Sequence, residues 1–417
     1  MANHLMLYGF SVELVEELRK TKKVVWMDVE IHRKSEKSQL SYGQLLKAVI
    51  PCRRPILTID ISVVDCVFQN IDEIAQGYVR HNGLSDMGWT DLLTLIYSHV
   101  LFFREFIEKQ KIDLLIFSNI PHEGIDNVIH LVAKAMGIPS RFLFQTPFDA
   151  KHWVLSEVHD LTTLSSNAFA ATKGNTSWES NAEISKSVNQ SKIRAEFLDA
   201  MYGESVLWYM RGVYSSVSYS SSQPGKFIYF PLHLEPELTV SRLSGGGIFS
   251  SQITTIMALD AWCHKNDFHL VIKENPKQVR NRYRSELFYK LLASSRVKVV
   301  KKTVSTKELI QKSAGVVTIS GTVGFEALCY GRRVVALGHT WWNHFPGVDR
   351  GIESLDLFLE GNLTQLSRAN ADMLLEALSS FAFAGYNDDE FRVEYMGPKE
   401  ENDQLLLSSI NQISDSL

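Results

Sequence analysis

Residues 316–337 constrain this chain more than any other stretch. Val316-Val-Thr-Ile-Ser-Gly-Thr-Val-Gly-Phe-Glu-Ala-Leu328 reads as an apolar strand, a turn of small residues at Ser320, Gly321 and Thr322, and a helix opening at Val323 or Gly324. Arg333 to Leu337 is a second strand, ended by Gly338. Strand, helix and strand in that order need a parallel sheet. The turn brings backbone N–H groups and the positive end of a helix dipole to one point, which suits an anion. Gly321 lets a ligand approach the backbone, and Ser320 and Thr322 add hydroxyls. Glu326 lies about one helical turn further in, where it can face a sugar hydroxyl. An ordinary βαβ connection whose Ser and Thr only cap the helix has the same appearance.

With 417 residues the chain exceeds one ordinary domain, and two α/β domains are expected. Hydrophobic residues at 45% and charged residues at 22% describe a globular protein. A net charge of −4 argues against nucleic acid as a partner. Cys52, Cys66, Cys263 and Cys329 lie far apart without metal spacing, so no metal site and a reducing compartment are expected. Met1-Ala-Asn-His has neither a basic start nor an apolar core. Leu92 to Phe103 is too short for a membrane span and reads as a core helix. A cytoplasmic location is expected, with association at the cytoplasmic face of the inner membrane left open.

Along the chain, Val12 to Arg19 reads as a short helix, and Lys23 to Asp28 and Arg54 to Ile61 as strands. Residues 1–25 are otherwise ambiguous. Ile112 to Phe117 is a nearly continuous apolar run, as a parallel strand buried on both faces requires. A loop carrying His122 and Glu123, a helix from about Asp126 to Met136 and a strand from Ile138 to Phe144 complete one βαβ unit. Residues 165–191 are rich in Ser, Asn and Thr and read as a mobile loop, followed by an aromatic helix to Tyr214. The reading gives an N-terminal domain over 1–214, a Ser-rich linker over 215–225, a second domain over 226–385 and a helical tail over 386–417. The second domain alternates strands at 226–232, 269–273, 297–301, 316–319 and 333–337 with helices.

Four features follow strands in that second half: Glu235 with Glu237, the glycines Gly245 and Gly246, Lys273 with Asn275, and Ser320 to Thr322. Parallel strands would place them on one edge of one sheet. Residues 265–312 hold thirteen Lys or Arg against four Asp or Glu, a local excess of 13 − 4 = +9 that suits a phosphate-bearing ligand or a solvated basic face. Glu235 and Glu237 flank Pro236, and a carboxylate on so stiff a loop can serve as base, nucleophile or hydroxyl clamp. Lys273 can neutralise a phosphate. His122, Glu123 and His339, with Trp341 and Trp342, can contact a sugar or an acceptor, or pack beneath their loops.

Five segments in order carry a resemblance. They are Pro231-Leu-His-Leu-Glu-Pro-Glu237, Gly246-Gly-Ile-Phe-Ser-Ser-Gln252, Lys273-Glu-Asn-Pro276, Ser305-Thr-Lys-Glu-Leu309 and Ser320-Gly-Thr-Val-Gly-Phe-Glu-Ala327. Together with Pro121-His-Glu123 they resemble the capsule polysaccharide biosynthesis family, which includes bacterial Kdo transferases. The resemblance implies a GT-B glycosyltransferase, with two Rossmann-like domains facing a central cleft. The nucleotide-sugar donor, a CMP-linked ulosonic acid, would sit in the second domain and a glycan or lipid-linked glycan acceptor in the first. No cofactor and no metal are implied. Ser320, Gly321, Thr322, Gly245, Gly246, Lys273, Asn275 and Glu326 would hold the donor, and Glu235 or Glu237 would be the catalytic carboxylate. Where the family has a His-Pro motif this chain has Asn275, which can donate a hydrogen bond but cannot act as a cation or acid. Rival readings are a UDP-sugar transferase, a UDP-sugar 2-epimerase and a non-catalytic glycan-binding or assembly protein.

Overall fold

A computed structural model describes residues 2–28, 40–41, 61–81, 84, 87–172, 227–235, 240, 242–275, 278, 286–300, 304–360, 366, 368–387 and 398–416. The chain forms two compact units, Met1–Glu157 with Phe381–Leu417, and Val158–Ser380. Glu237, the expected linker and the expected aromatic helix before it lie outside the described residues, as do residues 54–60 of the strand expected at Arg54 to Ile61.

The first unit is built on strands β1 (His4–Tyr8), β2 (Lys23–Asp28), β3 (Leu40–Ser41), β4 (Leu114–Phe117), β5 (Ser140–Gln145), β6 (Lys151–Leu155) and β13 (Phe383–Ala384). Their order is β13-β6-β5-β4-β1-β2-β3. Strands β3, β2, β1, β4 and β5 run parallel, and β6 and β13 close one edge antiparallel. Leu114 to Phe117 is buried throughout, the continuous apolar run a doubly covered strand requires.

Helix α1 (Val12–Leu18) starts at Ser11, whose Oγ accepts the Leu14 N–H. Helices α2 (Ile61–Phe68), α3 (Ile71–His81), α4 (Trp89–Gln110) and α5 (Ile125–Ala135) follow. Ile61, expected to end a strand, instead opens α2. Helix α4 buries Leu92, Ile96, Val100, Phe103 and Ile107, a stripe at three- and four-residue spacing that makes it a core helix. Among the described residues, no helix is long and apolar enough to cross a membrane.

The second unit begins with helix α6 (Asp160–Ala171). Residues 165–171, expected in a mobile loop of the N-terminal domain, are helical and grouped with this unit. Helix α6 buries Leu161, Ser165 and Ala168 and packs against helix α11 (Arg368–Ser380), and Ser165 Oγ accepts the His344 N–H at 2.8 Å. The tail helix α12 (Lys399–Asp415) returns to the first unit. Its Leu406, Ile410 and Ile413 join Leu5, Leu7, Leu14, Val15 and Leu18 in one core.

Strands β7 (Phe227–Pro231), β8 (His269–Lys273), β9 (Lys298–Val300), β10 (Gly315–Thr318), β11 (Arg333–Ala336) and β12 (Val348–Arg350) form the second sheet. All its pairings are parallel, in the order β12-β11-β10-β7-β8-β9. Helices α7 (Gln252–Lys265), α8 (Glu286–Ser294), α9 (Thr306–Lys312) and α10 (Val323–Cys329) connect them. From the buried central β7 the chain winds outward through β8 and β9. It then crosses to the other side of β7 and winds outward again through β10, β11 and β12. The direction reverses between β7 and β10, and ligands of such sheets bind beyond the C-terminal strand ends at that point.

Candidate functional site

The loops leaving β7 and β10 flank the reversal. After β7 the backbone loses its strand partners, Leu232 donating a last rung to the Lys273 carbonyl at 2.9 Å. Gln252, the first residue of α7, takes over. Its Oε1 accepts the His233 N–H at 2.7 Å and its Nε2 donates to the His233 carbonyl at 3.1 Å. The same Nε2 donates to Oε2 of Glu235 at 3.2 Å. Gln278 grips the next residue in the same way, accepting the Glu235 N–H and donating to its carbonyl, both at 2.9 Å. Glu235 is half-buried and fixed at both backbone and side chain.

After β10, Thr318 Oγ1 accepts the Gly321 N–H at 3.1 Å and lies 3.2 Å from Nε2 of His233. The Gly321 amide, expected among the donors for an anion, is therefore engaged by its own strand end. A Cβ on Gly321 would sit 2.8 Å from the His233 ring, so glycine is required for the turn to lie on the imidazole. Ser320 is half-buried and Thr322 exposed, which leaves the Thr322 hydroxyl on the outer side of the turn.

Lys273, at the end of β8, is buried. Its ammonium donates to the Val304 carbonyl at 2.7 Å and to Thr306 Oγ1 at 2.8 Å. Burial pulls its pKa below the ordinary lysine value, opposed by the charge of Glu326. Burial likewise raises the Glu326 carboxyl, opposed by Lys273. Tyr229 and Cys329 lie in the same field, and burial first and Glu326 second push the Cys329 thiol up to about 12. Lys273 and Glu326 thus feel each other's charge, but the ammonium's hydrogen bonds go to Val304 and Thr306. Asn275 donates its N–H to Glu274 Oε1 at 2.9 Å and accepts the Gln278 N–H at 3.0 Å.

Gly245 and Gly246 gather elsewhere on the same edge, beyond β11. Gly245, Gly246 and Gly247 all have positive φ, a conformation that favours glycine at each position. The loop lies against Gly338, where a Cβ would meet the Leu243 carbonyl at 2.1 Å. His339 Nδ1 pairs with Thr162 Oγ1 at 3.0 Å, and its Nε2 lies 3.5 Å from where a Gly245 Cβ would stand. Burial first and the charge of His159 second lower the His339 pKa. Trp341 and Trp342 are buried, Trp341 against Phe325 and Trp342 against Gly324, so they pack beneath the loop.

His122 and Glu123 belong to the first unit, after β4 and beside β1. Glu123 accepts the Tyr8 hydroxyl at 3.0 Å, and both residues donate their N–H groups to buried Asp126 at 2.7 and 2.8 Å. Among the described residues, no group of three or more His, Cys, Asp or Glu is placed to hold a metal ion.

Residues 208–379 match a family model. The family is that of the capsule polysaccharide biosynthesis protein. The matched segment covers less than half of the chain but contains all six strands of the second sheet, Glu235, Gln252, Lys273 and the Ser320–Thr322 turn. A stretch of 127 residues is 33% identical to Protein FixF of Sinorhizobium fredii (strain NBRC 101917 / NGR234), 30% of this chain and 25% of FixF, so the match spans a quarter of that relative. Among solved structures, the chain is similar to the KpsC beta Kdo 2,7 transferase of Thermosulfurimonas dismutans, at 11% identity and TM-score 0.40 over 92% of each chain. It is also similar to the UDP-GlcNAc 2-epimerase of Methanocaldococcus jannaschii, at 12% identity and TM-score 0.30 over 91% of this chain and 100% of that one.

Proposed function

We propose that this chain is a glycosyltransferase of capsule or other surface polysaccharide synthesis. It moves a sugar from a nucleotide donor, a CMP-activated ulosonic acid such as Kdo or a nonulosonic acid, to a growing glycan. One coincidence carries the reading: the capsule-synthesis match covers the sheet whose reversal point holds a fixed carboxylate, Glu235, on a loop whose His233 lies against the Ser320–Thr322 turn. In the reaction an acceptor hydroxyl forms a bond to the anomeric carbon, the bond from that carbon to the donor phosphate breaks, and CMP departs. The Ser320 and Thr322 hydroxyls and the start of α10 hold the phosphate. Lys273 supplies a buried positive charge whose reach is tempered by Glu326, and Asn275 adds a hydrogen bond. Glu235 is the carboxylate for the bond chemistry, with Glu237 as its neighbour on the same loop. His122 and Glu123 serve the acceptor. The donor is a co-substrate, and neither a cofactor nor a metal has a part in the scheme.

The test is a thermal-shift series with CMP, CDP, UDP and GDP, because a ligand that binds only the folded state raises Tm. The expected result is stabilisation by CMP. Stabilisation by UDP alone would turn the reading to a UDP-sugar enzyme. No response to any nucleotide would favour a non-catalytic glycan-binding protein, the reading to which Asn275 in place of the family histidine lends support.

A further inference from the structure

We infer that Gln252 is a positioning residue that fixes the Glu235 carboxylate and, through His233 and Thr318, couples it to the Ser320–Thr322 turn. The inference rests on the glycosyltransferase reading for its consequence and on hydrogen-bond geometry for its content. Gln252 is fully buried, and its side-chain amide makes three hydrogen bonds that use both donors and one acceptor direction. Its Oε1 takes the His233 N–H, one amide hydrogen goes to the His233 carbonyl, and the other goes to Glu235 Oε2. The amide cannot be reversed, because its NH2 would then face the His233 N–H. Its orientation is dictated by the backbone, and the donor aimed at Glu235 is therefore dictated too.

The arrangement continues beyond Glu235. His233, held by Gln252 at its backbone, presents Nε2 to Thr318 Oγ1, and Thr318 Oγ1 holds the Gly321 amide. A chain of contacts thus runs from the carboxylate through Gln252, His233 and Thr318 to the turn. It spans the point where the strand order reverses, joining the loop after β7 to the loop after β10. A side chain needed only to fill space or to continue the β7 backbone ladder would require the two His233 contacts alone. The third contact, to a carboxylate, serves the site.

Two substitutions separate these roles. Gln252→Ala removes every contact. Gln252→Glu keeps an oxygen for the His233 N–H and nearly the same volume, but it loses the donor to the His233 carbonyl and replaces the donor facing Glu235 by a second carboxylate. If Gln252 served only the His233 backbone, both variants would lose stability, since each lacks the donor to the His233 carbonyl, while the folded protein kept its kcat. As a positioning residue, both variants lose CMP release from CMP-Kdo in kcat, by at least about tenfold, while CMP affinity by calorimetry changes less than about threefold.

Amide hydrogen exchange supplies a readout that does not depend on turnover. In Gln252→Glu the His233 amide stays protected while the Glu235 amide exchanges at least about tenfold faster, since repulsion moves that residue off Gln278. A parent protein that neither binds CMP nor turns over CMP-Kdo defeats the CMP-Kdo donor reading, and exchange alone then decides the positioning inference. Unchanged Glu235 protection in Gln252→Glu, or full turnover by that variant, overturns it.

Discussion

Thr318 Oγ1 and His233 Nε2 lie 3.2 Å apart, directly beneath the turn that ends β10. The contact ties the two strands that border the reversal of the second sheet. It is buried on both sides, and Thr318 Oγ1 also carries the Gly321 amide. Thr318→Val keeps the shape and deletes the hydroxyl, leaving the half-buried Gly321 N–H and an imidazole nitrogen without this partner. We expect a loss of about 1–3 kcal/mol in chemical denaturation and weaker CMP binding, with Thr318→Ser close to the parent. Equal stability of the Val variant and the parent would show that the hydroxyl does not support the turn.

Gly338 follows β11 at a point where two backbones touch. A Cβ there would meet the Leu243 carbonyl at 2.1 Å, and a carbonyl in a loop held by His339 cannot swing away as a side-chain end can. Gly338→Ala is expected to lower stability by about 1–3 kcal/mol and to displace the Gly245–Gly247 loop. Gly245→Ala has more room, since only His339 lies within reach at 3.5 Å, but its φ of 72° makes the substitution strained. Calorimetric Tm values in the order parent, Gly245→Ala, Gly338→Ala check the ranking.

His152, on β6, is fully buried, with Nδ1 2.9 Å from the Gly385 carbonyl. Burial lowers its pKa from 6.5 to about 4 in the folded state. The unfolded chain therefore binds the proton first as pH falls. The contribution of neutral His152 is fully present above pH 6.5 and is lost as pH drops toward 4, by up to roughly 3 kcal/mol. His152→Phe removes this titration, so its stability should vary less with pH across that window. An identical pH dependence in parent and variant, followed by urea denaturation, would refute the assignment.

Much of this architecture was legible because its signals are local. Ile112 to Phe117 and the run from Val316 to Ala327 announce buried strands and a strand-to-helix turn through unbroken apolar stretches ended by small residues. Strand β1 was not legible: His4–Tyr8 is short, opens the chain, and becomes central only when β2 and β4 pair with it from distant positions. Helix α6 was hidden by its Ser, Thr, Asn and Ala content, because the small residues it buries, Ser165 and Ala168, resemble those of a loop. Within the site, Glu235 stood out beside Pro236. Gln252 and His233 lay within the quoted motifs, but their pairing spans nineteen positions and joins a side chain to a backbone, which no periodicity reports. The pairing of Lys273 with Thr306 was equally invisible, since it depends on how β8 and α9 meet.

The proposed role of Glu235 in the bond chemistry is read by CMP release from CMP-Kdo in the presence of a capsule-type glycan acceptor. Acceptor-dependent release by the parent and a fall of about a hundredfold or more in Glu235→Gln, with CMP affinity preserved, are expected. Equal release by parent and Glu235→Gln would contradict that role, as would a parent that releases no CMP while binding the nucleotide.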